Sequence, residues 1–135
     1  MEEALKEVVK ALELTFEYND GNFETDVILS QEEVKIINYI GTLHKKMNQT
    51  KKAIAIYKKV VESYQSSKVS AKYHYTGSNL ILANLSLSLE EMNQLTESMD
   101  MAKLGISQVL NCGRGSLLAN FLSNIACCFE KITWY

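Results

Sequence analysis

Shifting the chain by 45 residues lays one segment on another without a gap. Ile36, Ile37, Ile40, Gly41, Met47, Asn48, Gln49 and Ala53 fall on Ile81, Leu82, Leu85, Ser86, Met92, Asn93, Gln94 and Ser98. Apolar falls on apolar and small on small, so a packing arrangement that suits the first segment suits the second. The match continues where Ala53, Tyr57 and Val60 land on Ser98, Ala102 and Gly105, spaced 0, 4 and 7 along one helix face, and Ala4, Val8 and Ala11 carry that spacing upstream. Downstream, Leu122, Ile125, Ala126 and Phe129 repeat the pattern of Ile37, Ile40, Gly41, His44 and of Leu82, Leu85, Ser86, Leu89. Helix pairs stacked in an array follow from this, with the chain beginning inside one unit and ending inside another.

Turn chemistry agrees. The 135 residues include no proline and only 6 glycines, too few for a sandwich or barrel that needs a turn about every 8 to 12 residues. An all-α fold of about six helices is expected. Apolar residues at 4, 5, 8, 9, 11, 12 and 16 mark a helix over Met1–Tyr18, stopped by Asp20-Gly21-Asn22. Ser30 and Glu33 form a capping box that opens a helix reaching about Met47. Thr50 caps the next, interrupted at Ser66-Ser67-Lys68, and Ser70 opens a longer one to about Met92. Thr96 starts a fifth that ends near Asn111, where Gly113-Arg114-Gly115 breaks it, and Ser116 caps a sixth through Phe129.

With 47% apolar and 22% charged residues, the composition is that of a globular protein and excludes a mainly disordered chain. The uncharged stretch Tyr73–Leu89 is too polar and short to span a bilayer. The acidic start, Met1-Glu2-Glu3, lacks the basic and apolar regions of a signal peptide, so a cytoplasmic location is expected and no membrane partner. Three cysteines, two of them adjacent (Cys127, Cys128), make neither a disulfide framework nor a zinc pattern, and reduced thiols packed as small hydrophobes are the reading. Charge is segregated: residues 1–44 hold 3 lysines and 10 acids, whereas residues 45–72 hold 8 lysines against Glu62 alone. Lysines without interleaved aromatics, following an acidic first third, read as a solvated face in preference to a nucleic-acid surface.

Ile37-x-x-Ile40-Gly41-x-x-His44, followed by Ala53, Tyr57 and Val60, resembles the tetratricopeptide (TPR) signature. The departures are His44 for the usual tyrosine, Val60 for alanine, no closing proline, and a period of 45 instead of 34. Residues 30–63 and 117–131 further resemble the helical-repeat region of peptide-responsive PlcR-like and Rgg-like regulators of Gram-positive bacteria. The resemblance implies a right-handed superhelix of antiparallel helix pairs, a single domain over residues 1–135, and a fragment from which an N-terminal helix-turn-helix domain is missing. It also implies that DNA is reached only through that missing domain, and that the chain senses a short peptide and pairs as a homodimer. A constitutive scaffold or dimerisation module is the alternative.

If residues 37, 40, 41 and 44 are buried, helical geometry turns Lys35, Asn38, Tyr39 and Thr42 to the inner, concave face. The same register selects Leu80, Ala83, Asn84 and Leu87, then Asn120, Ser123, Asn124 and Cys127. Asn84 and Asn124 would recur at one register, able to pair with the backbone of an extended peptide, while Tyr39, Leu80 and Leu87 offer apolar contact. Lys35, Lys45 and Lys46 could receive a carboxylate. Asparagine is common on helix surfaces, so chance recurrence is the competing reading. His44 and His74 read as packed residues, and Trp134 and Tyr135 as packing against a further helix. Nothing resembles a phosphate loop, a zinc-protease HExxH or a nucleophile elbow, and Glu90-Glu91 reads as a solvated helix end. No enzyme activity, metal or cofactor is expected.

Overall fold

Ser30 opens its helix as the capping box requires. Its hydroxyl accepts from Glu33 N–H at 3.1 Å while Ser30 N–H donates to Glu33 Oε1 at 2.8 Å. The computed structural model describes residues 1–23, 29–66, 76–112 and 117–134. Among them run six α-helices: α1 (Glu2–Glu13), α2 (Gln31–Lys46), α3 (Thr50–Ser66), α4 (Thr76–Glu91), α5 (Leu95–Cys112) and α6 (Leu118–Trp134). A 3₁₀ turn at Asn19–Gly21 precedes α2, and no strand occurs among the described residues. The fold is all-α. The expected starts at Ser70 and Ser116, the breaks at Ser67-Lys68 and Gly113–Gly115, His74, the Trp134 side chain and Tyr135 lie outside the described residues.

The chain divides into two compact units, Met1–Val69 and Ser70–Tyr135. In the first, α2 packs on α1 and α3, and the 3₁₀ turn rests on α3. In the second, α5 packs on both α4 and α6, and α4 touches α6.

The two long helix pairs share one turn, bond for bond. Asn48 and Asn93 both take φ 60°. Asn48 N–H donates to Lys45 C=O at 3.0 Å and Gln49 N–H to His44 C=O at 2.8 Å; Asn93 N–H donates to Glu90 C=O at 3.0 Å and Gln94 N–H to Leu89 C=O at 2.9 Å. This is a Schellman turn with asparagine as its left-handed residue. The next helix starts at once, because Gln49 C=O already accepts from Ala53 N–H, and Gln94 C=O from Ser98 N–H. Thr50 and Leu95 are therefore the first helical residues, one residue before the sequence reading placed each start.

Cores match by the same offset. Ile37, Ile40, His44 and Ala53 are buried, as are Leu82, Leu85, Leu89 and Ser98. One contrast is compensated: Gly41 lies under the ring of Tyr57, where a Cβ would collide, whereas the second unit places Ser86 and Ala102 at these positions. A small residue on the first helix faces a large one on the second, and the sizes level out in the repeat. His44, at the place of Leu89, keeps a polar contact, with 2.7 Å between Nδ1 and Gln49 Oε1.

Two helices differ from expectation in length. α1 stops at Glu13, five residues before Tyr18, because the Thr15 hydroxyl turns back to Leu12 C=O at 2.7 Å and also meets Glu33 Oε2 at 2.9 Å. The chain beyond then folds Phe16, Tyr18 and Phe23 into an aromatic cluster with centroids 5.6–6.2 Å apart. α6 runs past Phe129 to Trp134, with Lys131 in its last turn.

Candidate functional site

The expected register of α6 is off by one. Phe121, Asn124 and Cys128 are buried, while Leu122, Ala126 and Phe129 are exposed. The spacing 0, 3, 7 is that of Ile37, Ile40 and His44, started one residue earlier. Two contacts fix this choice. The Phe121 ring fills the space left by Gly105 of α5, where a Cβ would overlap it. Asn124 Nδ2 donates to Ser98 Oγ at 3.0 Å and also to Ser86 Oγ.

Those two serines clasp α4 to α5 reciprocally. Ser86 Oγ donates to Ser98 C=O at 2.9 Å, and Ser98 Oγ donates to Ser86 C=O at 2.6 Å. Each hydroxyl thus gives its one proton to a carbonyl and accepts one of the two amide protons of Asn124, so the buried network is satisfied. Cys128 Sγ lies 3.5 Å from Ser98 Oγ. In the first unit Gly41 and Ala53 occupy the serine positions, and neither has a hydroxyl with which to form such a clasp.

Asn124 is therefore a strut at the base of a groove, 8% exposed, and not a side chain on an open surface. The asparagine recurrence does not survive the shift: the α6 residue in register with Tyr39 and Asn84 is Ser123. The amide that stands exposed on α6 is Asn120.

Between α4 and α6 lies an open groove of about 270 Å³. Leu80, Ala83, Asn84, Leu87 and Glu90 form one wall, and Asn120, Ser123, Asn124 and Cys127 the other. All eight second- and third-unit residues assigned to the concave face meet here, and Glu90 is added. The helices run parallel with a separation of about 40 residues: Ser86 meets Asn124 midway, and Glu90 meets Lys131 at one end. Leu80 and Leu87 are 37% and 43% exposed, enough to contact a bound chain. Asn84 is half-buried, its carbonyl accepting from the Ser88 hydroxyl at 2.7 Å.

Glu90 is not on a solvated helix end. It is 9% exposed, and its Oε1 pairs with Lys131 Nζ at 2.9 Å, while Lys131 also donates to Glu90 C=O at 3.2 Å. Sequence reading missed this pair because its members stand far apart in the chain. The signal that existed was a lone lysine near the end of α6, one groove length beyond Asn120. Cys127 is exposed, against expectation, and Cys128 is buried; both are free thiols.

The remaining assigned residues sit on α2 in the first unit. Lys35 and Tyr39 are exposed and line an apolar depression of about 430 Å³ with Glu7, Val8, Ala11 and Ile36. Asn38 and Thr42 are half-buried, and the Thr42 hydroxyl donates to Asn38 C=O at 3.0 Å. Lys46 is exposed and Lys45 half-buried. On α3 the lysine-rich face meets the acidic first third, with Lys52 Nζ 3.0 Å from Asp20 Oδ2. Tyr18 is buried beside this face; its hydroxyl has no hydrogen-bond partner among the described residues. Burial, with Asp20 and Glu13 adding to it, pushes the Tyr18 phenol above its ordinary value.

Among the described residues no cluster of three or more His, Cys, Asp or Glu could hold a metal ion, and no helix is long and apolar enough to cross a membrane. Comparison with protein-family models, with curated proteins and with solved structures gives no match.

Proposed function

We propose that this chain is a peptide-binding helical-repeat module that holds a short extended segment in the groove between α4 and α6. One observation carries the reading: the groove is open, and side chains suited to an extended chain line it. Leu80, Ala83 and Leu87 offer apolar contact, and Asn84, Asn120 and Ser123 offer hydrogen-bonding groups to its backbone. Asn124 supports the groove from beneath through Ser86 and Ser98. With the resemblance to peptide-responsive regulators, this supports a cytoplasmic sensor domain of a bacterial transcriptional regulator, stacked in the TPR manner, whose peptide controls quorum-type signalling.

The test is a peptide selected on the immobilised chain, its affinity then measured by calorimetry. Substituting Asn84→Ala together with Asn120→Ala should cost roughly 1–3 kcal/mol of binding by leaving peptide groups unpaired, with helicity retained. An unchanged affinity in the folded double variant removes the groove amides from the site.

The scaffold or dimerisation reading draws on a different observation. Leu122, Phe129 and Ile132 of α6 are 53%, 57% and 48% exposed, an apolar stripe at helical spacing. A chain that dimerises through α6 with its groove indifferent to every peptide would favour that reading, and sedimentation of Phe129→Ser distinguishes it.

A further inference from the structure

We infer that the α4–α6 groove selects a peptide carrying a lysine or arginine side chain, seated at the Glu90 end, with an apolar segment running along Leu87 and Leu80. This rests on the peptide-binding reading of the groove and deepens it.

The groove is electrically lopsided. Of the nine described residues that line it, Glu90 alone is a carboxylate or a cation, and it stands at one extremity. At the other extremity Leu80 and Asn120 are neutral, and so are their helical neighbours Asn79 and Ala119. Lys131 neutralises one oxygen of Glu90, but a carboxylate accepts several hydrogen bonds, and Oε2 receives none from a described residue. One helical turn beyond Leu87 and Cys127 come Glu91 and Glu130, both exposed. Helix α4 also ends here at Glu91, and the negative end of its dipole adds to the same field.

Shape selects a side chain over a terminal ammonium. The Glu90 side chain is only 12% exposed, recessed below the exposed Leu87. A lysine or arginine reaches such a carboxylate by laying its methylenes along an apolar wall and extending its charged tip. A backbone ammonium, held close to its own Cα, does not reach as deep. An acidic peptide end meets repulsion at Glu90, and the described residues at the other extremity, Asn79, Leu80, Ala119 and Asn120, offer it no charge.

The experiment uses the full chain and end-blocked hexapeptide libraries. One library fixes lysine at one position and the other fixes norleucine there, with the rest drawn from Leu, Ile, Val, Ala, Ser and Asn. Members retained on the immobilised protein are remade with a fluorophore and titrated by polarisation. Lysine members should bind about tenfold tighter than their norleucine counterparts, and Glu90→Gln should bring the ratio of lysine to norleucine affinity, measured on that same variant, close to one. The exchange Glu90→Lys with Lys131→Glu preserves the ion pair while replacing the groove-wall carboxylate by a cation, and should abolish the preference for lysine over norleucine, a readout that does not depend on the single variant folding well. Equal binding of the two libraries, or a lysine preference undiminished in Glu90→Gln, overturns the charge inference and leaves the peptide groove standing. A norleucine library made with a free amino terminus is run beside them, and its binding as tightly as the blocked lysine library, with that gain lost in Glu90→Gln, overturns the side-chain assignment. Retention of neither library overturns the groove reading itself.

Discussion

Asn48 and Asn93 stand 45 residues apart and hold the same left-handed backbone conformation, each closing a Schellman turn between two antiparallel helices. Both are exposed, so neither is held by packing; backbone geometry accounts for them. Replacing either with alanine should destabilise its unit by about 1 kcal/mol, and glycine should be neutral or better, because only glycine adopts this φ at no steric cost. Denaturant midpoints of the four single variants check this. Alanine variants as stable as the parent would contradict the shared turn.

Gly41 and Tyr57 form a size-matched pair whose counterparts are Ser86 and Ala102. Gly41→Leu should cost about 1–3 kcal/mol or more through overpacking against the Tyr57 ring. The sharper test is a cycle: Gly41→Ser alone should be destabilising, and adding Tyr57→Ala, which recreates the combination of the second unit, should cost less than the two single changes added together. Thermal unfolding of the three variants reads the coupling, and strict additivity would separate the two residues.

Asn124 spans both serines that clasp α4 to α5. Asn124→Ala should lose about 1–3 kcal/mol of stability, whereas Asn120→Ala, one helical turn away and exposed, should change stability by less than about 0.5 kcal/mol. Chemical denaturation of both variants distinguishes the strut from the groove amide. Equal small effects would mean that the buried network contributes nothing.

Tyr18 supplies an alkaline signature. Its phenol is raised in the folded chain, while the unfolded chain ionises near the ordinary value of about 10. Above that pH the unfolded state binds fewer protons than the folded one, so stability falls with rising pH, approaching about 1.4 kcal/mol per unit from this group. Below pH 10 the contribution is constant. Tyr18→Phe should remove that part of the alkaline loss, and because the buried hydroxyl has no partner among the described residues, it should cost little at neutral pH. Melting temperatures of both chains between pH 7 and 11 provide the check; parallel curves would contradict it.

Most of the fold was legible because its determinants are local or periodic. The capping box at Ser30 and the 45-residue offset are short-range signals, and the structure answers them residue for residue. The end of α1 was not legible, because a threonine hydroxyl and a tertiary aromatic cluster overrode an apolar periodicity that continued to Phe16. The register of α6 failed for a related reason: the helix has two apolar stripes, Phe121–Cys128 and Leu122–Phe129, and periodicity alone cannot rank them. What ranks them is complementarity with another helix, Phe121 to the gap at Gly105 and Asn124 to Ser86 and Ser98. Residues expected on one face of α4 and α6 nevertheless line one groove, because a one-residue shift rotates a helix by 100° and leaves part of the same face on each side. Glu90 was missed because its burial depends on Lys131, a partner 41 residues away.

The central claim is that the α4–α6 groove is where a peptide binds, and side-chain amide resonances test it most directly. Titrating the isotopically labelled chain with a peptide selected on it should shift the Asn84 and Asn120 side-chain amide signals in nuclear magnetic resonance spectra, along with the methyl groups of Leu80 and Leu87. The Asn124 amide, already donating to Ser86 and Ser98, should move less, and the lysine face of α3 around Lys52 and Lys59 should not move. Saturating shifts on the α3 face or on the apolar stripe of α6, with the groove resonances unmoved, would contradict the account.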